Sequence, residues 1–239
     1  NVDGANGDDL VVGAPNCHVP DDGGAAFLLT SNSVVYAAPT VSSWTFTIPG
    51  GQAGAELGLV VAGLGDTTGD GQPDFAVAAP LMDSGHGRIY VFNGKSSGLP
   101  STTKSVSMSA GSSRHVGSSI SSGEVRNGVF VGHDVNRDGF MDMIEGEPLY
   151  TGSFTNEGLV RVFLGKIGAL NFVESRDLFG TCASCNFGTA VALGDIGCEA
   201  GGLCPIDGPN VLNHDGYADA VVGQPGLANG SLKKAGQVR

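Results

Sequence analysis

Apolar residues in this chain come in short runs, each bounded by glycine, proline or aspartate. The clearest are GGAAFLL at 23–29, GRIYVF at 87–92, GLVRVF at 158–163 and GQVR at 236–239. They alternate or run apolar over about four to eight residues, which is the signature of a strand. Weaker strands are predicted at SSWTFTI (42–48) and KSVSMS (104–109). Tripeptides ELG (56–58), HVG (115–117) and NFG (186–188) each open a further apolar stretch. Many glycines and few helix formers fit short strands joined by turns.

The strands are ordered by a repeat. Four stretches align: NVDGANGDDLVVGAP (1–15), DTTGDGQPDFAVAAP (66–80), DVNRDGFMDMIEGEP (134–148) and VLNHDGYADAVVGQP (211–225). Their closing aspartates, Asp9, Asp74, Asp142 and Asp219, recur about every 70 residues. Each period holds about four strands, with the acidic loop between the first and second. Antiparallel units of this kind suit propeller blades, because one blade cannot bury both faces and must stack on neighbours. Gly13, Ala14, Ala78 and Ala79, just after the loops, are small enough for close approach of sheets.

The loops carry the candidate chemistry. In 134–142 the oxygen donors are Asp134, Asn136, Asp138 and Asp142, with Gly139 at the sharp turn and the Phe140 carbonyl available. In 66–74 they are Asp66, Thr68, Asp70 and Asp74, with the Gln72 carbonyl. An all-oxygen set suits calcium, whereas zinc prefers Cys and His and magnesium demands an octahedron with retained water. An EF-hand also begins D-x-[DN]-x-[DN]-G but needs a glutamate at its twelfth position and flanking helices. Only Glu145 falls there; the other copies have Val12, Val77 and Val222. The first loop offers Asn1, Asp3 and Asp9 but has Ala5 where an acid is expected. The fourth offers Asn213, Asp215, Asp219 and the Tyr217 carbonyl, with Val211 at its head; Asp195 or Asp207 is the candidate for the missing ligand across an insertion. The alternative for every loop is an Asx-rich turn that holds no ion.

Composition narrows the classes. The formal charge is −12, with Lys and Arg totalling 12, which disfavours nucleic acid because phosphate contacts need cations. Four divalent ions would bring that −12 to about −4. No apolar run is long enough to span a membrane. The chain opens on a motif, so a mature or truncated start is expected. Of five cysteines, Cys182, Cys185, Cys198 and Cys204 cluster. They read either as a zinc site or as disulfides of a secreted protein, and disulfides are favoured, with Cys182–Cys185 and Cys198–Cys204 the working pairing. Cys17 is then free or paired outside the chain. No nucleophile elbow, His-rich zinc motif or phosphate loop is present, and His115, His133 and His214 sit beside glycines or repeat loops. Glu145 and Glu147 share a strand face, the spacing of any polar strand edge.

The combination of an apolar residue before glycine, D-x-[DN]-x-D-G-x-x-D, G-A-P and a G-x-[VI]-Y-V-F-like strand resembles the FG-GAP repeat, found in integrin alpha-subunit propellers and in secreted bacterial and archaeal proteins. The resemblance covers nearly the whole chain. It implies an all-β propeller of four-stranded antiparallel blades, usually seven in a ring, with calcium in loops on one face. Blade units fall at about 1–50, 51–110, 111–176 and 177–239, the terminal ones incomplete. About three and a half to four blades are therefore expected here, either as part of a larger propeller or as half a ring completed by another chain. Head-to-tail polymerisation and a closed four-bladed ring are the alternatives.

The leading expectation is a calcium-binding extracellular propeller, secreted or at the cell surface, serving as a binding or adhesion scaffold. Its partner would be an unidentified extracellular protein or glycan. The rivals are a subunit of a surface filament or layer, assembled through incomplete blades, and a non-catalytic propeller belonging to a secreted carbohydrate-active enzyme. A catalytic role has no motif behind it.

Overall fold

The computed structural model describes residues 1–4, 8–17, 22–30, 44–46, 52–100, 106–107, 114–126, 129–132, 134–168, 171–194, 218–227 and 237–238. Over these residues the fold is all-β, built of antiparallel sheets. The first sheet holds β1 (Leu10–Ala14), β2 (Ala25–Leu29) and β3 (Trp44–Phe46). The second holds β4 (Val60–Gly65), β5 (Asp74–Ala79), β6 (Arg88–Phe92) and β7 (Val106–Ser107). In the third, β8 (Ser119–Ser121) is followed by a separate hairpin, β9 (Gly123–Arg126) and β10 (Val129–Gly132). The sheet then resumes with β11 (Met143–Glu147), β12 (Leu159–Leu164) and β13 (Asn171–Phe179). The fourth holds β14 (Val191–Gly194), β15 (Asp219–Gln224) and β16 (Gln237–Val238).

Each of the four sheets is an up-and-down meander, interrupted in the third by the β9–β10 hairpin between the paired strands β8 and β11, as in a propeller blade. The predicted strand positions agree with β2, β3, β6, β7, β12 and β16. Two features were not anticipated. The β9–β10 hairpin separates β8 from loop 134–142, so that loop does not directly follow a blade strand as its counterpart at 66–74 does. In addition, β13 extends to Phe179, past the unit boundary placed at 176.

Apolar clusters between sheets explain the stacking. Phe75, Val77, Tyr90 and Phe92 of the second sheet pack with Ala26 and Leu28 of the first. The other face, Ala76, Ala78, Ile89 and Val91, packs with Met143 and Phe163 of the third. Ile144 and Val160 then meet Phe187, Leu193 and Val222 of the fourth. Strand alternation turns one set of residues to each neighbour, so an interior blade is apolar on both faces. This is why β5 is buried at every position.

The apolar-glycine tripeptides act as the rivets between sheets. Leu57, Val116 and Phe187 form isolated parallel bridges with Gly24, Gly87 and Gly158, which sit at the heads of β2, β6 and β12 of the preceding blade. Glu56, His115 and Asn186, one residue earlier, all have positive φ. Small residues are required where blades touch. A Cβ on Gly13 would lie 1.9 Å from the Gly58 carbonyl oxygen, and one on Gly146 would lie 1.9 Å from that of Gly188.

Candidate metal centres on one rim of the blades

Loops 66–74 and 134–142 are each wound around their first aspartate. Asp66 Oδ1 accepts the backbone N–H of Gly69 at 2.6 Å and those of Thr68 and Asp70 at 3.2 Å. Its Oδ2 accepts Gly71 N–H at 2.8 Å. Asp134 repeats this pattern, with Oδ1 accepting Asn136 and Asp138 N–H at 3.2 Å and Oδ2 accepting Gly139 N–H at 2.7 Å. Gly71 and Gly139 have φ of 83° and 92°, with nothing within 4 Å of a built Cβ. Backbone conformation, rather than space, therefore calls for glycine at this position.

The middle donors are exposed. Asp70 Oδ1 accepts Gln72 N–H at 2.8 Å, and Asp138 Oδ1 accepts Phe140 N–H at 3.0 Å. Asn136 Oδ1 accepts Asp138 N–H at 3.0 Å, and its Nδ2 donates to Asp138 Oδ2 at 2.9 Å. Thr68, by contrast, is buried.

The ninth position differs in kind, since Asp74 and Asp142 are buried. Asp74 Oδ2 accepts the Thr67 N–H at 3.0 Å and the Thr67 hydroxyl, while Oδ1 accepts Gly94 N–H at 3.0 Å. Asp142 Oδ2 accepts Val135 N–H at 2.6 Å and Oδ1 accepts Gly165 N–H at 2.8 Å. In the first loop, Asp9 Oδ2 accepts Val2 N–H at 2.7 Å. In loops 66–74 and 134–142 the closing aspartate thus ties the second loop residue to the turn after β6 or β12, and Asp9 repeats the bond to the second loop residue. Burial pushes Asp74 up to about 6 against the pull of the Thr67 and Gly94 bonds, with Asp70 adding to the rise. Burial likewise pushes Asp142 up to about 6, opposed by Gly165 and Val135 and reinforced by Asp134 and Asp138.

Sequence reading missed the turn residues Gly94–Lys95 and Gly165–Lys166. The signal was present as FNGK at 92–95 and FLGK at 163–166. In each turn the glycine N–H serves its own blade's aspartate. The lysine N–H reaches the preceding loop: Lys95 donates to the Val2 carbonyl at 2.9 Å and Lys166 to that of Thr67 at 3.0 Å. Met141 N–H also donates to the Asp66 carbonyl at 3.0 Å, so successive loops lie side by side.

Among the described residues, no group of three or more His, Cys, Asp or Glu side chains is gathered to hold a metal ion. The carboxylates in both loops are turned instead onto backbone amides. The donor set nonetheless fits a hard cation. It is all oxygen, it crowds like charges, and its outermost members, Asp70 and Asp138, are exposed side chains able to rotate. Of the remaining candidates, Asn1 is exposed, Asp3 is buried and Asp219 heads β15 opposite Gly194. Asp195, Asn213, Asp215 and Tyr217 lie outside the described residues, as do Cys198 and Cys204. Cys182 and Cys185 are joined as a disulfide, with Cα atoms 5.5 Å apart.

Glu145 and Glu147 require a correction. They lie on β11, which has strands on both sides, and neither is exposed at all (0%). Glu145 Oε2 accepts Gly117 N–H at 3.1 Å, so it takes no part in the acidic loop. Glu147 Oε1 accepts from Arg161 at 2.9 Å, and Arg161 also bonds Asp177 at 2.9 Å. Burial and the adjacent Glu147 hold the Glu145 carboxyl well above its ordinary value. His115 is half-buried, and burial lowers its pKa.

At the other end of the third sheet, beyond the strand ends opposite loop 134–142, lies a pocket of about 450 Å³ lined by Tyr150, Phe154, Glu157, Phe179 and Thr181. Phe154 and Phe179 are roughly half exposed.

Stacked antiparallel blades, riveted through apolar-glycine pairs and carrying acidic loops along one rim, define a β-propeller architecture. No family model matches the chain. Parts of it are similar to integrin alpha subunits. It is 36% identical to integrin alpha-PS2 of Drosophila melanogaster over 108 residues, covering 41% of this chain and 7% of that protein. It is 28% identical to integrin alpha-E of Mus musculus over 195 residues, covering 70% of this chain and 15% of that protein. It is 34% identical to integrin alpha-6 of Gallus gallus over 96 residues, covering 38% and 8%. The chain therefore spans only a small fraction of the length of these relatives. Among the described residues no helix is long and apolar enough to cross a membrane.

Proposed function

We propose that this chain is a segment of a calcium-stabilised extracellular propeller that acts as a binding or adhesion scaffold. The observation that carries the reading is the recurring loop, in which a buried closing aspartate is anchored by amides while a half-buried and an exposed acid lie on the same turn. Asp66, Thr68, Asp70 and Asp74 with the Gln72 carbonyl would hold one ion; Asp134, Asn136, Asp138 and Asp142 with the Phe140 carbonyl would hold another. Bound calcium supplies positive charge where burial and like charges otherwise push Asp74 and Asp142 toward protonation. The residues then pin the first two strands of each blade at the rim. Similarity to integrin alpha subunits supports the adhesion class. Ligand contact would come from loops on one rim, because a rigid scaffold can display loop side chains for binding. Isothermal titration of metal-free protein with calcium tests the metal reading. Uptake of at least two ions, lost together in a variant carrying Asp70→Ala and Asp138→Ala, is expected; absence of binding heat and of any chelator effect on stability rejects it.

A further inference from the structure

The closing aspartates of the first three loops sit on one continuous hydrogen-bonded chain that crosses blade boundaries. Asp142 accepts Gly165 N–H, and the adjacent Lys166 N–H donates to the Thr67 carbonyl. Thr67 N–H in turn donates to Asp74. From Asp74 the chain continues through Gly94 and Lys95 to the Val2 carbonyl, and Val2 N–H donates to Asp9. A second connection runs in parallel. Gly168 N–H donates to the Thr68 carbonyl at 2.8 Å, and Met141 N–H to the Asp66 carbonyl. A third is a side-chain contact. The Phe140 ring lies so close over Gly69 that a Cβ there would be 2.3 Å from its Cε1. Phe140 and Gly69 are residues of different acidic loops, and Phe140 is the residue whose carbonyl is a candidate ligand.

We infer that cation binding in loops 66–74 and 134–142 is positively coupled, with the Phe140–Met141 and Gly165–Lys166 segments as the couplers. The inference rests on the calcium reading above. The physical reason is shared ordering. Closing loop 134–142 on an ion fixes the Phe140 peptide and the Asp142 carboxylate. Those groups position Met141, Gly165 and Lys166, which hold the backbone of residues 66 and 67. The second loop is then ordered in advance, and the first ion has met part of the conformational cost of the second. Coupling of this kind is reciprocal, so an ion at 66–74 must favour one at 134–142 by the same factor.

The test is a calcium titration of the full chain followed at the Gly71 and Gly139 backbone amides by NMR, one reporter in each loop. Wild type, Asp138→Ala and Phe140→Ala are compared. Asp138 is exposed and hydrogen-bonds to Asp134, Asn136 and Phe140 of its own loop, so its loss leaves the donors of loop 66–74 intact. Phe140→Ala retains every oxygen donor in both loops. In wild type the two amides should respond together, over a steeper range than a single-site curve. In Asp138→Ala the Gly71 midpoint should move to about fivefold higher calcium or more. In Phe140→Ala the two midpoints should separate. An unchanged Gly71 midpoint in Asp138→Ala overturns the coupling while leaving calcium binding in place. Amides that stay still in wild type overturn the calcium reading itself.

Discussion

Calcium and protons compete for the same carboxyl, Asp74. Asp74 is 1% exposed and, without a cation, burial moves it from an ordinary 3.8 to about 6. A carboxyl raised in this way holds its proton in the folded state over a range where the unfolded chain has released it. It therefore adds stability below its unfolded value, and that contribution is lost as pH rises through about 6. The full difference is about 3 kcal/mol for this residue, of which about 1.4 kcal/mol is still present at about pH 5 and none at about pH 7.5. Asp142 changes in the same direction. Calcium flattens the slope, because with the ion bound the folded carboxyl holds no proton and the unfolded one has already released its own above about pH 5. The ion needs the anion, so protons compete with it, and the stability it confers fades as pH falls through about 6. That stability amounts to about 2.7 kcal/mol at a free ion concentration of 100 Kd. The assay is urea unfolding at about pH 5 and about pH 7.5, on resin-stripped protein with and without millimolar calcium. Metal-free protein should be more stable at the lower pH, whereas calcium-loaded protein should change little between the two, so that the calcium increment is larger at about pH 7.5. Asp74→Asn should flatten the metal-free slope, because an amide does not titrate. It should also lower stability by about 1–3 kcal/mol, because its NH2 group meets an N–H that the carboxylate had accepted. Metal-free protein that is equally or more stable at about pH 7.5 would refute the reasoning.

The remaining predictions concern packing and the buried charges. Gly146→Ala places a Cβ 1.9 Å from the Gly188 carbonyl oxygen and should destabilise by about 3 kcal/mol or more, whereas Gly71→Ala, with open space around it, should lose only about 1 kcal/mol to its positive φ; urea midpoints separate the two. Glu145→Gln should retain wild-type stability at neutral pH, since an amide oxygen still accepts from Gly117 and replaces a carboxyl already biased toward its neutral form. Glu147→Gln weakens the pair with Arg161 and should destabilise by up to about 3–5 kcal/mol in the same assay. Replacing both Cys182 and Cys185 with serine should cost only about 2 kcal/mol, because the ring they close is short; thermal unfolding measures it, and a larger loss would mean the bridge also holds Gln224, whose Nε2 lies 3.8 Å from Cys182 Sγ.

The exposed loop chemistry was legible because it is local. Asp66 and Asp134 bond to amides within five residues of themselves, and the glycine at the sixth position follows from a backbone conformation that one turn imposes. The strands were legible for the same reason, since alternation is a property of neighbouring residues. Even the rivets between blades showed as recurring apolar-glycine tripeptides, although their partners Gly24, Gly87 and Gly158 had no visible link to them. The turns FNGK and FLGK were present too, but nothing in the text of the chain says that one amide of each serves its own blade and the next serves the preceding one.

Other features were decided only when the blades stacked. Glu145 and Glu147 read as a polar edge because alternation reports which side of a strand a residue takes, not whether another strand or sheet covers that side. The pairing of β11 with both β8 and β12, and the neighbouring blade's packing, buried them. The same holds for Asp74 and Asp142, which the spacing grouped with the exposed acids. The sequence by itself thus settled the repeat, the strand pattern and the donor chemistry of the loops, all encoded over a few adjacent residues. Tertiary structure alone decided which carboxylates are desolvated and which loops touch, because desolvation and contact between blades depend on atoms that lie tens of residues away along the chain.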